Sequence, residues 1–591
     1  YQMADNSYMR NGTGYYRYRS LQDFYDGAAP EVVCLTYGYD GEANPAARVR
    51  FHKAGIYAQD EWSVNDNFKL TYGVRLDGLF FDNQDLMRNK AIYDLAYIVD
   101  GEERHIDTGK WPSAALTVSP RVGFSWDVFG NNSLKLRGGT GLFSGRLPLV
   151  FFTNMPTNSG MVQYQAQLND ANLLNMFGTV KDADGNDVAK YTMADFKGGI
   201  LKREALLEKL VEMGYPNTIS PEDGTRPSEI SAVDPKFKMP QVWKTSLAVD
   251  YNFPTSFPFS ISAEGILNKT VNGVVIRDWS VKSVDGFTRL NGADNRPLYQ
   301  NFKQTDANGK NLPAAYVLEN THKGYGYSGT VTVNMRPVEG LSLMAAYTHT
   351  VSKEVTGMPG SNAASVLNYI GTVYGPNDPG LHNSQYVTPD RFVASFTRSD
   401  KSNNHFSIIY EAWRGGYNYS YMTSNDMNGD GYNYDLIYIP TDQQVADREF
   451  RFVSADDEQR FMDFVHADPY LSKNQGKYAE SYSVYSPWVH RVDFSYKHDF
   501  KLKAGKNTNI LQLNVDVKNI LNLFNSNWGV SKYMNPSLAE GRILKYEGYD
   551  EDGVATFSTP SAVNPNTEIW NKSIGIGQCW YASVGIKYMF N

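Results

Sequence analysis

The stretch that decides the fold is Trp580-Tyr-Ala-Ser-Val-Gly-Ile-Lys-Tyr-Met-Phe590. The even-numbered positions from 580 to 590 are apolar or aromatic, whereas the odd-numbered positions from 581 to 587 are mixed or polar. Successive side chains of a β-strand point to opposite faces, so this alternation predicts a strand with one apolar face and one polar face.

The same period of two recurs along the chain. It covers positions 68–76, 243–251, 331–335, 492–500 and 511–517. One such strand occurs in many proteins, but a series of them with a nearly uniform length of about 10 residues is typical of a barrel wall.

Composition narrows the class of protein. The chain of 591 residues is 14% aromatic and 41% hydrophobic, which excludes a disordered chain. Its mean hydropathy is −0.46, and no run of about 18 apolar residues predicts a membrane helix. A net charge of −8 makes nucleic acid an unsuitable partner. A large soluble β-protein and a transmembrane barrel remain, since only alternate residues of a barrel strand need be apolar.

The connections favour the barrel. Short turns rich in Asn, Asp, Gly and Pro are predicted at 63–67, 127–133, 252–257, 337–340, 399–403 and about 501–509. Long irregular stretches separate the hairpins, at roughly 81–119, 144–240, 280–324, 353–387, 414–488 and 522–578. Outer-membrane barrels alternate short periplasmic turns with long external loops, whereas a sandwich or propeller has no reason to do so. We therefore predict an all-β, transmembrane antiparallel β-barrel with long extracellular loops.

Six hairpins and one final strand make thirteen strands. The first, near 50–62, follows a predicted extracellular loop region at 1–49, and positions 50–591 form the barrel portion. Because the first and last strands would both run inward, we expect an odd number of further strands before Tyr1. The segment is thus expected to be the C-terminal part of a larger barrel.

Several motifs resemble one family of barrels. Gly55-Ile-Tyr-Ala-Gln-Asp-Glu-Trp62 and Leu70-Thr-Tyr-Gly-Val-Arg-Leu-Asp77 resemble strands of TonB-dependent outer-membrane receptors. An ordered series resembles the Oar-like branch found in Bacteroidetes: Ser119-Pro-Arg-Val-Gly-Phe124, Leu136-Arg-Gly-Gly-Thr-Gly-Leu-Phe-Ser-Gly-Arg146, Met155-Pro-Thr-Asn158, Met239-Pro-Gln-Val-Trp243, Pro487-Trp-Val-His490, Asn519-Ile-Leu-Asn-Leu-Phe524, Trp528-Gly-Val530 and Val584-Gly-Ile-Lys-Tyr-Met-Phe590.

The resemblance implies a barrel of about 22 strands in the outer membrane of a Gram-negative bacterium. The remaining strands, a plug, a TonB box and a signal peptide would lie upstream. External loops would capture a ligand, the plug would close the lumen, and a TonB–ExbB–ExbD complex would pull the plug. Two alternatives stay open: a non-transporting outer-membrane adhesin or assembly scaffold, and a secreted glycan-binding β-protein.

The sequence suggests no enzyme, because it has no HExxH, GxSxG or usable cysteine–histidine spacing, and we predict no catalytic residues. No cofactor is predicted except a structural calcium ion. A calcium loop has side-chain oxygens at alternate positions, and the candidate ligands here are Asp426, Asn428, Asp430 and Asp435. Ile437 stands at the position where an EF-hand has its Glu. The alternative is a turn stabilised by Asn and Asp side chains, before the strand-like positions 436–440.

Four other features have a structural and a functional interpretation. Glycines within 136–146 favour close strand contacts over a phosphate loop. Positions 201–211, and 455–466 after a Ser454 cap, have helical spacing. Predicted lumen-facing residues, which either brace the interior or line a substrate path, are Arg491, Asp493, Asn514, Asp516 and Lys518. Candidate tyrosines for peptide or sugar recognition are Tyr15, Tyr16, Tyr18, Tyr417, Tyr419, Tyr421, Tyr432, Tyr434 and Tyr438. The sequence leaves open whether Cys34 and Cys579 pair.

Overall fold

The computed structural model describes residues 1–505 and 507–590. Thirteen wall strands within these residues form one antiparallel series: β1 Ala47–Asn65, β2 Phe68–Asp82, β3 Ala115–Asp127, β4 Leu134–Ser144, β5 Gln241–Asn252, β6 Phe259–Asp278, β7 Tyr325–Met335, β8 Leu341–Glu354, β9 Asp390–Ser399, β10 Asn404–Arg414, β11 Val489–Ala504, β12 Asn507–Lys518 and β13 Tyr581–Met589. Each pairs with the next along the chain. The predicted antiparallel β architecture is confirmed. Lys506, in the predicted turn at about 501–509, and Asn591 lie outside the described residues.

The registers place most of the apolar residues of these strands on one face. Cross-strand partners on this face include Leu136 with Val249, Val331 with Tyr347, Ile408 with Phe494, and Val515 with Val584. Directly opposed residues of paired strands share a face, so their side chains form one continuous apolar belt. The polar partners fill the other face, which we call the lumen face. This division explains how a membrane wall has a low mean hydropathy.

The short turns are held by Asp side chains and left-handed Asn residues. Between β3 and β4, the Asp127 carboxylate accepts hydrogen bonds from the backbone N–H groups of Gly130 and Asn132. Asn132 has a φ of 58°, a conformation that Asn tolerates better than most residues. Between β9 and β10, Asp400 accepts from the N–H groups of Ser402 and Asn404 in the same way. These interactions close tight hairpins at one end of the wall.

The two outermost strands each have one unpaired edge in the described part of the chain. β13 pairs with β12 alone, and β1 pairs with β2 and, at positions 47–51, with the short strand Gln2–Asn6. Ile56 on β1 and Ile586 on β13 are 71% and 73% exposed. With thirteen strands in alternating directions, β1 and β13 run the same way and cannot pair antiparallel. The described wall is therefore an open sheet.

The long connections fold into a cap at the opposite end from the tight turns. Its helices are α1 Leu21–Tyr25, α2 Lys90–Tyr93, α3 Val150–Thr157, α4 Asp170–Phe177, α5 Arg203–Met213, α6 Ala363–Asn368, α7 Asp442–Ala446, α8 Ala455–Ala467 and α9 Ile520–Phe524. Its short strands are Gln2–Asn6, Tyr15–Arg17, Val32–Gly38, Tyr97–Val99, Glu102–Arg104, Gln163–Leu168, Thr179–Lys181, Asp187–Ala189, Glu229–Val233, Ala314–Thr321, His382–Asn383, Asn418–Tyr419, Met422–Thr423, Tyr438–Ile439, Arg451–Phe452, Lys477–Tyr478, Val484–Tyr485, Lys532–Met534, Arg542–Tyr549, Ala555–Ser558 and Trp570–Lys572. No helix of the described residues has the length and apolar character needed to cross a membrane.

The two predicted helices are confirmed, and both bury an apolar stripe. α8 begins after Ser454, whose hydroxyl accepts a hydrogen bond from the Asp457 N–H, and it buries Phe461 and Phe464 in the largest hydrophobic cluster of the cap. α5 lies two residues later than the predicted positions 201–211. Leu206 and Leu210 of α5 pack in a second cluster, which also contains residues of the strand Val32–Gly38. The cap therefore has hydrophobic cores of its own.

An arginine on the apolar belt is expected to destabilise the protein far more than one on the lumen face. Val331 and Thr332 are neighbours near the middle of β7 and point to opposite faces. We expect Val331→Arg to lower the free energy of unfolding in lipid by about 2–4 kcal/mol, because it places a charge in hydrocarbon. Thr332→Arg is the matched control and should cost much less. Urea titration of the folded, heat-modifiable form in vesicles measures both; equal losses would contradict this assignment of the faces.

Candidate functional site

The lumen face of the wall is braced by ion pairs between neighbouring strands. Lys518 on β12 contacts Asp493 on β11 at 2.8 Å. Arg137 on β4 contacts Asp250 at 3.0 Å and Glu264 at 3.4 Å, which joins β4, β5 and β6. These ion pairs join neighbouring strands on the polar face of the wall and stabilise it.

The other predicted lumen residues have different surroundings. Arg491 donates to the backbone carbonyl of Gly529 and to the Gln578 side chain. No hydrogen bond or ion pair joins the side chains of Asn514 and Asp516 to another described residue. The structure thus brings only Asp493 and Lys518 of the predicted set into direct contact.

Two motifs used for the family resemblance meet at the top of β11 and β12. The Asn519 amide donates to the carbonyls of Gly529 and Gln578. A Cβ atom on Gly529 would lie 1.8 Å from the Asn519 side-chain oxygen, and the φ of Gly529 is +67°. Glycine is therefore required there, and these residues fasten the last long loop to the wall.

The glycines within 136–146 permit close approach between wall strands. A Cβ atom on Gly138 would lie 2.8 Å from the Ser246 carbonyl, and one on Gly139 would lie 2.9 Å from the Val122 carbonyl. The segment lies in β4, which pairs with strands on both sides. These positions support the structural interpretation of the glycines.

A polar cleft opens in the cap above the wall. It consists of two adjoining cavities of about 410 Å³ and 770 Å³, which share Asp100, Arg277, Asn377 and Asp378. Arg277 extends from the outer part of β6, and Asp100 lies in the tight connection between the strands Tyr97–Val99 and Glu102–Arg104. Strands from distant parts of the sequence thus hold the cleft walls in place.

Charges of both signs line this cleft. Arg277 contacts Asp100 at 2.8 Å and also pairs with Glu319, while the Trp279 indole donates to Glu319 at 2.9 Å. The hydrogen bond from Arg277 lowers the pKa of the Asp100 carboxyl, so this side chain stays charged. Lys236 also lines the cleft and has no ion-pair partner among the described residues. The arrangement suits a polar ligand carrying both charges or several hydrogen-bonding groups.

The four predicted calcium ligands lie in one loop, and each already has a hydrogen-bond or ion-pair partner. Asp426 accepts hydrogen bonds from the N–H groups of Gly429 and Gly431. Asn428 and Asp430 bond to each other through a backbone N–H and through their side chains. Asp435 instead contacts the buried Arg296 at 3.0 Å, a partner that would compete with a cation. No group of three His, Cys, Asp or Glu residues fit to hold a metal occurs in 1–505 or 507–590. These hydrogen bonds support the alternative of a stabilised turn, and the calcium site stays a prediction.

Arg296 organises this region through its carboxylate partners. Its side chain is fully buried and contacts Asp294 at 2.8 Å as well as Asp435. Two carboxylates thus contact one guanidinium, and the charge of Arg296 also acts on Asp430. Burial raises the pKa of Asp435 to about 7 and that of Asp430 to about 6, and in both cases a neighbouring carboxylate adds to the rise.

The candidate tyrosines divide between the cap interior and its surface. Tyr421 is fully buried and donates to Asp468 at 2.9 Å. Tyr438 is also buried, and the Tyr432 hydroxyl lies 3.4 Å from that of Tyr316. Tyr417 is 47% exposed and available for recognition. Of the remainder, Tyr16 contributes to the second cap core, whereas Tyr15 is exposed.

The cysteines are not paired. Cys34 is buried in the cap and Cys579 is exposed, and both are free thiols.

The family model for the outer membrane beta barrel domain matches residues 2–543. The chain belongs to this outer-membrane β-barrel family. Membership places it in the outer membrane of a Gram-negative bacterium, with the apolar belt against lipid. No curated protein sequence matches the chain.

Solved structures with a related arrangement are transporters and receptors. The chain is 9% identical to the outer membrane transporter YddB from Escherichia coli, over 94% of this chain and 50% of that one, with a TM-score of 0.40. It is also 9% identical to a ferric enterobactin receptor mutant from Pseudomonas aeruginosa, over 94% and 58%, with a TM-score of 0.38. It is 9% identical to the siderophore receptor PirA from Acinetobacter baumannii, over 88% of this chain and 50% of that one, with a TM-score of 0.35. The chain spans about half of the length of the solved structures it matches.

The cap should become more resistant to unfolding as the pH falls from about 8 to about 5. The pKa of Asp435 is raised from 3.8 to about 7, so folding takes up a proton in this window and stability increases on acidification. Asp435→Asn should weaken the dependence, and the part that remains comes from Asp430, whose pKa is raised to about 6. The exposed Asp184→Asn should leave it unchanged. The rate of proteolytic cleavage within 421–484 reports cap opening. A cap that is most stable at the alkaline end would contradict this charge balance.

Removing calcium should leave the cap unchanged if the Asp426 loop is a hydrogen-bonded turn. The Asp426 carboxylate already accepts hydrogen bonds from backbone N–H groups, so an added cation should stabilise the loop little further. Cap proteolysis in excess EDTA and in excess calcium chloride measures this directly. Marked protection by calcium that is lost in Asp426→Asn would instead establish the predicted calcium site.

Proposed function

We propose that the chain forms the C-terminal barrel wall and extracellular cap of a TonB-dependent outer-membrane transporter. The observation that carries the proposal is a two-faced antiparallel wall, apolar toward lipid and braced by ion pairs on its lumen face, beneath a cap that holds a polar cleft. The ordered series of motifs supports the Oar-like branch. The mechanism assigned to this chain is ligand capture by the cap and passage along the lumen face.

The open edges of the wall support the incomplete-barrel part of the proposal. Hydrocarbon offers no hydrogen-bonding partner, so unpaired backbone groups on a strand edge cost several kcal/mol each. Further strands within the membrane would satisfy the free edges of β1, over 52–65, and of β13. An odd number of strands from an upstream segment would join them antiparallel, and about nine would complete the wall that the resemblance implies.

The cap supplies what a transporter needs on its outer side. The Arg277 and Glu319 side chains lie on strands and are already paired, so the cleft is organised before a ligand arrives. Ligand release would then depend on a plug and on the TonB–ExbB–ExbD complex, which act from outside this chain. The residues of this chain contribute binding, orientation and the wall.

The energy-coupling part is tested by retention on TonB. The full-length protein from the native outer membrane, in detergent, should be held by the immobilised periplasmic domain of the TonB from the same organism. Deleting its TonB box should abolish the retention, because coupling requires that segment.

A porin from the same membrane is the control for non-specific binding. Retention no greater than that of the porin would contradict a coupled transporter and favour the adhesin or scaffold.

A further inference from the structure

Four aromatic side chains form a continuous row that begins where β9 and β10 meet the cap. Tyr386, Tyr417, Tyr419 and Trp570 contact one another in this order, with ring centroids separated by 5.8, 5.1 and 5.7 Å. Every contact is edge-to-face. We refer to these four residues as the aromatic row. They come from three separate long loops, so the fold has assembled them.

One end of the row is open and the other is anchored. Tyr386 is 63% exposed and Tyr417 is 47% exposed, whereas Tyr419 and Trp570 pack against the main cap core. Large aromatic side chains held at a surface in a group are typical of binding sites. The anchored end fixes the position of the exposed rings.

The backbone beneath the exposed rings is held by hydrogen bonds between loops. The Gly416 N–H donates to the Val387 carbonyl at 3.1 Å, and the Asn418 N–H donates to the Gln385 carbonyl at 2.9 Å. Gly416 has a φ of +94°, which lets the chain turn sharply after β10. Tyr386 and Tyr417 are thus positioned before any ligand binds, which reduces the entropic cost of binding.

A cavity of about 450 Å³ adjoins Tyr386 on the lumen side of the wall. Thr350 and Ser352 line it from the polar face of β8, and Ser384 and Thr388 line it from the loop before β9. None of these four hydroxyl groups has a hydrogen-bond partner elsewhere in the described residues. The cavity therefore presents several donors and acceptors that are available to a ligand.

The lining favours a neutral ligand. Arg391 is its charged residue, and its guanidinium is already paired with Glu411. A peptide that binds by adding a strand needs an unpaired strand edge, but β8 and β9 are paired on both sides along the wall. A sugar ring offers hydroxyl groups at its edge and an apolar C–H face, which match the hydroxyl groups and the aromatic rings.

We propose that a neutral oligosaccharide binds along the aromatic row and enters the lumen through this cavity. Its rings stack on Tyr386 and Tyr417, and its hydroxyl groups bond to Thr350, Ser352, Ser384 and Thr388. The inference rests on the proposed transport function and names the class of ligand that the wall and cap would carry.

The test uses the full-length protein in detergent and an array of neutral linear oligosaccharides, including maltohexaose, cellohexaose and mannohexaose. At least one glycan should bind, and calorimetry with it should show about tenfold weaker binding by the double variant Tyr386→Ala/Tyr417→Ala. Tyr386→Phe should bind nearly as well as the natural protein, because the ring remains. Tyr549→Ala, at another exposed tyrosine of the cap, is the matched control.

Three outcomes overturn the inference. They are the absence of any bound neutral glycan, glycan binding that the double variant leaves unchanged, and preferential binding of a blocked alanine hexapeptide. Circular dichroism and cap proteolysis of the double variant establish that it is folded. Failure here with TonB retention intact would remove only the ligand class, whereas loss of TonB retention would remove the proposed transport function.

Discussion

The structure depends on one constraint: within hydrocarbon, every backbone N–H and C=O group must find its partner in the protein. The thirteen wall strands meet it by pairing each with the next in an antiparallel register. The tight turns follow from it, since Asp127 and Asp400 satisfy backbone groups where the chain reverses. The free edges of β1 and β13 would meet it if further strands joined them, as we propose.

The same sheet separates two environments. Its apolar face needs no specific pairing and is suited to lipid, whereas its lumen face carries pairs such as Lys518 with Asp493. Above the membrane, the long loops fold into a cap with hydrophobic cores around α5 and α8. Arg296 shows the cost of that folding: a buried guanidinium must be matched by carboxylates, and here the carboxylates are in excess. The cap thereby holds both the polar cleft and the aromatic row in fixed positions.

The wall was predictable from the sequence, and the interior of the cap was not. Alternation in segments such as 511–517 is local, so it indicates the strand and its faces without knowledge of its neighbours. The contact between Arg296 and Asp435 joins residues far apart in the chain, so no local sequence pattern predicts it. The local pattern that predicts Asp435 as a calcium ligand therefore does not show that its carboxylate pairs with Arg296. Tyr386 and Trp570 carried no local signal either, because the aromatic row exists only after three loops have come together.

The most direct test of the central claim is a spin-label scan of β7, Tyr325–Met335, in the full-length protein reconstituted in lipid vesicles. Single cysteines are introduced in a background in which the exposed Cys579 is replaced by Ser. We expect the accessibility of the label to oxygen, which concentrates in lipid, to alternate along β7 with a period of two. Its accessibility to a water-soluble nickel complex should alternate in the opposite phase. Odd-numbered positions such as 327 and 331 should be in lipid, and even-numbered positions such as 328 and 332 should face water. Equal access of the nickel complex to both sets would contradict a membrane wall.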